Sequence, residues 1–246
     1  MYIPDLALEY PDLEAGILPP NNITLNKDSP LSRGVLRAWN LRPNVHRQIV
    51  GYKEDSGSYA ESGVDFFNDF QNGHPYFNGA ERIELCGAHG IREDANRSLF
   101  TLAVTMSPNV LGIKQYMFAG YSGYIALLLN TSNLILFNKA GSAALATSST
   151  VAEVGKLYRI VIVYDRDNLV NADRHKLYVN GVLEDSNNAA AASFSWYTNP
   201  FCLGCRSPGY YHFKGMIDHP VIWGRPLNDA EVMMDYKNQL ELYRTI

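Results

Sequence analysis

Long apolar runs and clusters of basic residues are both missing from this sequence of 246 residues. No stretch approaches the roughly 20 apolar residues that a membrane-spanning helix needs, so we expect no membrane partner. The net charge is -4 and no row of Lys and Arg could neutralise a series of phosphates, so we expect no nucleic-acid partner. The start, "MYIPDLALEYPDLEAG", has no basic segment followed by an apolar one, which predicts no secretory signal and synthesis in a cytoplasm.

Cysteine is scarce as well, with three in the chain: Cys86, Cys202 and Cys205. A sparse, odd set does not make a disulfide framework. Cys202 and Cys205 have Cys-x-x-Cys spacing, but no second pair and no histidines at ligand spacing accompany them, and their context is strand-like. We therefore expect two small buried side chains rather than a metal or redox site.

Short apolar segments separated by Gly, Asn and Asp turns follow from about residue 31. This spacing predicts the antiparallel strands of a sandwich or barrel. In "KLYRIVIVYD" the side chains alternate, and the face with Arg159 is predicted to be the outer one. Asn180 and Gly181 lie between two apolar strands, which predicts a type I′ hairpin turn.

One helix is predicted, over residues 228–243 near the end of the chain. Asn228 is a good N-cap and Glu231 stands three residues on, as in a capping box. One helical stripe is expected to cover a side or end of the sandwich. Its members are Val232, Tyr236, Leu240 and Tyr243.

Residues 1–30 differ from the predicted domain, which spans residues 31–246. Five prolines interrupt short apolar groups there, which predicts an extended segment. Such a segment cannot bury its own apolar side chains, so it is either a tail or strip along its own domain or an arm that docks on a neighbouring subunit. The candidate docking residues are Tyr2, Ile3, Leu6, Leu8, Tyr10 and Leu13.

Asp218 and His219 are neighbours in "KGMIDHPVIW", a predicted strand. Adjacent side chains of a strand point to opposite faces, so we expect the two not to meet as an acid–base pair and interpret them as framework. Pro220 cannot donate to a ladder, which predicts an edge strand or a bulge. The residues predicted to share one face are Ile217, His219, Val221 and Trp223.

The ordered segments "LFTLAVTMSP", "KLYRIVIVYD" and "KGMIDHPVIWGRPLNDAEV" carry a resemblance to a known family. Gly215, Ile217 and Asp218 fit a Gly-x-Ile-Asp strand, and Arg225 and Leu227 fit an Arg-x-Leu turn before a short helix. This order resembles the concanavalin A-like lectin/glucanase domains of the laminin G-like type, over about residues 31–240. The resemblance implies an all-β jelly roll of two antiparallel sheets, here with an extended N-terminal arm and a short C-terminal helix.

A narrower similarity lies in "KDSPLSRGVLRAWNLRPN". Its residues Pro30, Leu31, Gly34, Val35 and Trp39 resemble the openings of laminin G-like proteins encoded in tailed-phage genomes. Together with the apolar arm, this resemblance implies a structural protein of a virion, such as a capsid decoration or tail-associated protein, made in the host cytoplasm. Its partners would be other capsid or tail proteins, and we expect a homo-oligomer or a symmetric array of copies.

Catalysis is not expected. A retaining glycosidase needs two carboxyl groups about 5 Å apart, and no glutamate here begins the Glu-x-Asp-x-x-Glu pattern of the sandwich-type glucanases. Glu81 and Glu84 have odd spacing and are predicted to lie on opposite strand faces. No histidine pair at ligand spacing and no Gly-x-Ser-x-Gly elbow is present.

No cofactor is expected, although "DRDNLVNAD" could bind a calcium ion. Hard cations need several oxygen ligands, but the polar residues of a hairpin loop are explained equally well as turn formers. The oxygen-bearing residues are Asp165, Asp167, Asn168, Asn171 and Asp173.

Carbohydrate binding, including binding to surface glycans, is the alternative function. Aromatic faces stack well against the apolar faces of sugar rings. Nothing in the sequence brings the aromatic candidates into one cluster. They are Tyr121 and Tyr124, Trp196 and Tyr197, and Tyr210 and Tyr211.

Overall fold

Two antiparallel sheets form the fold in the computed structural model of the chain, as the predicted jelly-roll sandwich requires. The structure describes residues 23–25, 28–39, 49–50, 60–62, 70–71, 74–79, 82–85, 99–120, 125–139, 144–187, 201–206, 210–237 and 243–245. Residues 1–22 lie outside them, and with them the predicted docking residues of the arm.

The described strands are β1 (Ile23–Leu25), β2 (Val35–Trp39), β3 (Ile49–Val50), β4 (Ala60–Ser62), β5 (Phe70–Gln71), β6 (His74–Asn78), β7 (Arg82–Leu85), β8 (Leu99–Pro108), β9 (Gln115–Gly120), β10 (Ala126–Leu129), β11 (Leu134–Asn138), β12 (Ala144–Val151), β13 (Tyr158–Asp165), β14 (His175–Val179), β15 (Val182–Asn187), β16 (Phe201–Leu203), β17 (Lys214–Trp223) and β18 (Tyr243–Thr245). One sheet has the order β12-β11-β10-β9-β16-β7-β4 and is called the front sheet. The other, the back sheet, has the order β15-β14-β13-β8-β17-β2-β3, with β6 also paired to β17 and β5 to β6.

The main core lies between the sheets, because strand alternation sends one set of side chains from each sheet inward. On β13, Tyr158, Ile160 and Ile162 join this core together with Phe118 and Leu127 of the front sheet. The opposite face of β13 contributes Val161 and Val163 to a second cluster on the outer side of the back sheet. The alternation predicted for this strand is therefore confirmed.

A helix covers the outer side of the back sheet, which explains the second cluster. Helix α1 spans Asp229–Lys237 and buries Val232 against Trp223 and Tyr178 of the sheet. Its start follows the predicted capping box: Glu231 N–H donates to Asn228 Oδ1 at 3.0 Å, and Asn228 N–H donates to Glu231 Oε2 at 3.0 Å.

The predicted helix extent of 228–243 is wrong at its C-terminal end. Tyr243 lies in β18, which pairs with β1 and sets Tyr243 opposite Leu25. The backbone of Tyr243 thus takes part in a ladder with a segment more than two hundred residues away, which local helical periodicity cannot reveal. Of the predicted stripe, Val232 and the half-buried Tyr236 lie in the helix, and Leu240 lies outside the described residues.

Strand β17 is central rather than at an edge, and a bulge accommodates its proline. Asp218 pairs with Thr105 and Val221 pairs with Ala103, which leaves His219 and Pro220 as the irregular step. His219 has a positive φ of 47°. The bulge shifts the alternation, so Ile217 faces the main core whereas Val221 faces the helix, and the prediction that these two share a face is wrong.

The same bulge brings Asp218 and His219 together, contrary to the expectation from an ideal strand. His219 Nδ1 lies 3.2 Å from Asp218 Oδ2, and the His219 N–H donates to Asp218 Oδ1 at 2.7 Å. Both residues are buried between the helix and the sheet. Their contacts fix the bulge, which agrees with the interpretation of the pair as framework.

A buried ion pair fastens the helix to the sheet. Arg159 of β13 donates two hydrogen bonds to Asp235 of α1, from Nε at 2.8 Å and from Nη2 at 2.9 Å. Its Nη1 donates to the His219 carbonyl at 2.7 Å, so the bulge supplies a further acceptor. The two parallel hydrogen bonds make the pair bidentate. Both side chains are almost fully buried, so the pair is shielded from solvent.

Side chains close one edge of the sandwich where the two sheets meet. Asp185 of β15 accepts the Thr147 N–H at 2.7 Å, and Glu184 accepts the Thr150 N–H at 2.8 Å. These carboxylates satisfy backbone donors along the edge strand β12, which would otherwise offer a template for another strand.

The opening and the ending of the domain contact each other. Trp223 Nε1 donates to the Leu31 carbonyl at 2.7 Å, and Arg225 Nε donates to the Arg33 carbonyl at 2.7 Å. Arg225 also pairs with Glu231 of the helix at 2.8 Å. The motifs that carry both resemblances therefore meet at one structural joint.

Two smaller predictions concern the hairpin and the cysteines. Asn180 and Gly181 both have positive φ, 52° and 76°, and link β14 to β15 as a type I′ turn requires. Cys202 and Cys205 are fully buried, as expected for small core side chains.

In the described part of the chain, no helix is long and apolar enough to span a membrane.

Candidate functional site

The loop between β16 and β17 is fastened to β9 of the front sheet. A register shift opposite Leu127 and Leu128 makes a bulge at Met117 of β9. The Gly204 N–H donates to the Met117 carbonyl at 3.0 Å, and the Tyr116 N–H donates to the Tyr211 carbonyl at 3.0 Å. Both ends of the loop are thus held at fixed positions beside one strand.

Two tyrosine rings form an aromatic pair where this loop meets the sheet. Tyr116 of β9 points away from the main core and is 4% exposed. The ring of Tyr211 lies over it with a centroid distance of 5.6 Å and an interplanar angle of 34°. Tyr211 is 45% exposed and the adjacent Tyr210 is 64% exposed. The arrangement presents aromatic surface to solvent on a buried aromatic base.

Two cations flank the aromatic pair. Lys114 Nζ lies 5.4 Å from the Tyr116 ring centroid and 5.3 Å from the Tyr211 ring centroid. Arg206 Cζ lies 6.0 Å from the Tyr116 centroid, and its backbone N–H donates to the Tyr210 carbonyl at 3.3 Å. These distances fall within the range of cation–π contacts. We call Lys114, Tyr116, Arg206, Tyr210 and Tyr211 the tyrosine platform.

The backbone of Tyr211 is strained. Its φ is 55°, in the left-handed region that residues other than glycine rarely adopt. Glycine would adopt this conformation without the steric cost that a Cβ atom brings. Strained residues of this kind cluster at ligand-binding and active sites, which singles out the platform among the surfaces described.

The structure describes two of the six glycan-binding residues predicted from the sequence. Tyr210 and Tyr211 are exposed neighbours on the platform. Tyr121, Tyr124, Trp196 and Tyr197 lie outside the described residues, so their grouping stays a prediction. Sequence reasoning missed Lys114, Tyr116 and Arg206. Tyr116 and Tyr211 are 95 positions apart, and no local pattern indicates that β9 and this loop are neighbours.

The loop proposed for calcium satisfies its polar groups internally. Asp165 Oδ1 accepts the Asp167 N–H at 3.2 Å, and Asn168 Oδ1 accepts the Val170 N–H at 2.9 Å. These are the turn-forming contacts of a polar hairpin. Within the described ranges, no group of three or more His, Cys, Asp or Glu side chains could hold a metal ion.

A cavity of about 500 Å³ lies between this loop and the start of helix α1. Asp173 and Asp229 line it, each 3.8 Å from Lys176 Nζ. The Tyr178 hydroxyl donates a hydrogen bond to Asp229 at 2.7 Å. Burial raises the pKa of Tyr178, and the carboxylate of Asp229 raises it further. Lys176 and Tyr178 thus already engage the carboxylates that line this cavity.

Comparison of the sequence with known protein families assigns the chain to one of them. The profile described as "Concanavalin A-like lectin/glucanases superfamily" matches residues 87–233, which is more than half of the chain. The chain belongs to this superfamily, and the laminin G-like resemblance is confirmed at that level. No curated protein sequence matches the chain.

Solved structures share the fold at low sequence identity. A Trypanosoma rangeli sialidase mutant with trans-sialidase activity is 13% identical with a TM-score of 0.58, and the match covers 96% of this chain and 38% of the sialidase. Domain 4 of a Geobacillus stearothermophilus arabinanase, in complex with arabinotriose, is 17% identical with a TM-score of 0.52 over 80% of this chain and 85% of that domain. A SAP-like pentraxin from Limulus polyphemus is 12% identical with a TM-score of 0.50, and covers 65% of this chain and 80% of its own. The chain matches 27% to 38% of the length of the sialidases, and these similarities show the fold alone.

Proposed function

We propose that the chain is a non-enzymatic carbohydrate-binding module and that the tyrosine platform is its sugar site. The observation that carries this proposal is Tyr211, an exposed aromatic residue held in a strained backbone conformation over the buried ring of Tyr116. Aromatic faces stack on the apolar faces of sugar rings, and a ring that is already fixed loses little entropy on binding. The similar arabinanase domain was solved with arabinotriose, so a domain of this fold can hold a sugar.

The engagement of four described carboxylates in holding the fold supports a role without catalysis. Asp218 and Asp235 are inaccessible to a substrate and engaged with His219 and Arg159. The carboxylates of Glu184 and Asp185 accept backbone N–H groups of β12. A glycosidase needs two carboxyl groups facing one groove. These four hold the fold, and Asp173 and Asp229, which share a cavity, each lie 3.8 Å from Lys176 Nζ.

A glycan array tests the proposed function. We expect the wild-type chain to give selective signals and the double variant Y210A/Y211A to lose them, with unchanged unfolding temperature. The matched control is Y236A, which removes a half-buried tyrosine of helix α1 on another surface. No signal above background for the wild type, with and without calcium, would refute the module, and equal binding by the double variant would refute the site.

We further propose that the module is part of a tailed-phage virion, as a capsid decoration or tail-associated protein in multiple copies. Two features support this second proposal. The opening residues Pro30 to Trp39 resemble those of phage-encoded laminin G-like proteins, and β1 pairs with β18 directly after residues 1–22. This pairing would give a docking arm a fixed base on the domain. A virion location is compatible with sugar binding, because surface glycans are then within reach of the platform.

Deletion of residues 1–20 tests the arm. The deletion ends before β1, so the domain should keep its unfolding temperature. We expect the shortened chain to lose binding to purified particles of the phage that encodes it, whereas Y210A/Y211A should bind these particles normally. Undiminished particle binding by the shortened chain would contradict the docking arm, and absence of the chain from the particle would contradict the virion role.

A further inference from the structure

The tyrosine platform carries positive charge that nothing in the described part of the chain neutralises. Lys114 and Arg206 flank the Tyr116 ring, and neither side chain forms an ion pair with a described carboxylate. Two other basic residues of the described surface do have an acidic partner: Lys156 pairs with Glu153 at 2.8 Å, and Arg225 pairs with Glu231 at 2.8 Å. In a chain of net charge -4, these two cations lie within about 6 Å of one tyrosine ring and so concentrate positive charge at a single place on the surface.

The aromatic rings position these cations. Lys114 Nζ is nearly equidistant from the two ring centroids, at 5.4 Å and 5.3 Å, and Arg206 Cζ lies 6.0 Å from the Tyr116 centroid. A cation over an aromatic face is attracted to the ring but keeps hydrogen-bond donors for other groups. The ammonium has three donors and the guanidinium five, and among the described contacts neither side chain donates a hydrogen bond to a protein acceptor.

Resting on the proposed function, we infer that the platform selects carbohydrates that bear an acidic group, in which Tyr210 and Tyr211 contact the sugar ring and Lys114 and Arg206 bind the anion. Carboxylate, sulfate and phosphate substituents share the necessary chemistry, because each offers oxygens that accept charge-assisted hydrogen bonds from a fork-shaped guanidinium or an ammonium. A neutral sugar would use the rings alone and would leave both cations without an anionic partner.

Calorimetric titration of matched sugar pairs tests this inference. The pairs are trigalacturonate with its methyl ester, 3′-sialyllactose with lactose, and lactose 6-sulfate with lactose. We expect the acidic member of at least one pair to bind about ten-fold more tightly at low salt. The difference should shrink at high salt, because the screening length falls from about 10 Å at 0.1 M to about 3 Å at 1 M. The pair with the largest difference identifies the acidic group.

Single variants connect the preference to the two cations. K114Q and R206Q should each weaken the acidic sugar about ten-fold and leave its neutral partner within about two-fold, since hydrogen bonds to charged groups contribute more than neutral ones. K156Q is the matched control, because Lys156 also lies over a tyrosine ring, 5.8 Å from the Tyr158 centroid, on another loop. It should change neither affinity. Unfolding temperatures of all variants confirm that they fold.

The outcomes separate this inference from the proposed function. Equal affinity for acidic and neutral partners overturns the acidic preference and leaves carbohydrate binding intact. An acidic preference that survives K114Q and R206Q, or that survives Y210A/Y211A, overturns the assignment of the anion site to the platform. Failure of every sugar to bind, on the array as well as in titration, overturns both.

Discussion

Tyr211 is the residue at which local backbone energetics and function diverge most clearly. A non-glycine residue in the left-handed region costs roughly 1–2 kcal/mol. Backbone energetics alone would favour glycine or asparagine there. The side chain is therefore interpreted as functional. Replacement of the residue by glycine should reveal the free-energy cost of its backbone conformation.

Two substitutions at this position separate strain from side-chain loss. Y211A and Y211G both remove the ring, but only Y211G relieves the backbone, so Y211G should have the higher free energy of unfolding, by about 1 kcal/mol. Urea denaturation of the two variants measures the difference. Equal stability, or greater stability of Y211A, would show that the strain assigned to φ 55° is not energetically real.

His175 is a buried titratable residue on the core side of β14. Its Nδ1 lies 3.2 Å from the Asn187 carbonyl, and its buried Nε2 has no hydrogen-bond partner among the described residues. Its ring lies 5.1 Å from that of Tyr164 between centroids. Burial lowers the pKa of His175 below 6.5, and the nearby charge of Arg174 adds to this effect.

Acid should therefore destabilise the fold through His175. Because the pKa is lower in the folded than in the unfolded state, the unfolded chain takes up the proton first as the pH falls below about 6.5. The stabilising contribution is complete above that pH and is lost as the pH falls towards the folded-state pKa. H175L should flatten the dependence of the unfolding free energy on pH between 5 and 7. An unchanged slope in this variant would assign the acid sensitivity to other groups.

At the scale of elements, the buried pair of Arg159 and Asp235 sets how α1 docks. Removal of one member leaves an unpaired charge in a dry interface, which costs about 3–5 kcal/mol. Replacement of both by apolar residues of similar volume is often neutral or stabilising. The pair thus makes docking specific without necessarily adding net stability.

Three variants test this description of the helix interface. D235A should lower the unfolding free energy by about 3–5 kcal/mol, whereas R159M/D235L should recover most of this loss. E153Q is the surface control, because the pair of Lys156 and Glu153 is exposed to solvent and should contribute little to stability. Denaturant titration gives all three values. A double variant as unstable as D235A would contradict the desolvation argument.

Elements whose signals are local were predictable from the sequence. The alternation of β13, the Asn180-Gly181 turn and the capping box at Asn228 each depend on residues within a few positions of one another. The alternation of β17 was not predictable beyond its bulge, because the left-handed His219 and the following Pro220 break the period of two. The end of α1 was mispredicted because β18 pairs with β1 from the other end of the chain.

At the scale of the whole molecule, distant segments build both the joint of the domain and the candidate site. The joint brings Leu31 to Trp223, and the platform brings Lys114 and Tyr116 to Arg206 and Tyr211. The sequence could supply the fold class and two of the five platform residues, since aromatic pairs and family motifs are visible in it. The cations were not predictable, because their meaning arises only where β9 and the β16–β17 loop meet.

The tyrosine platform is proposed to contact the sugar, and amide NMR can locate this contact. The measurement is a titration of ¹⁵N-labelled protein with the glycan that gives the strongest array signal. We expect saturable changes in the amide chemical shifts of Tyr116, Arg206, Tyr210 and Tyr211. No changes are expected for the polar loop at 165–173 or the start of α1. Saturable shifts confined to those other surfaces, with the platform unaffected, would contradict this proposal.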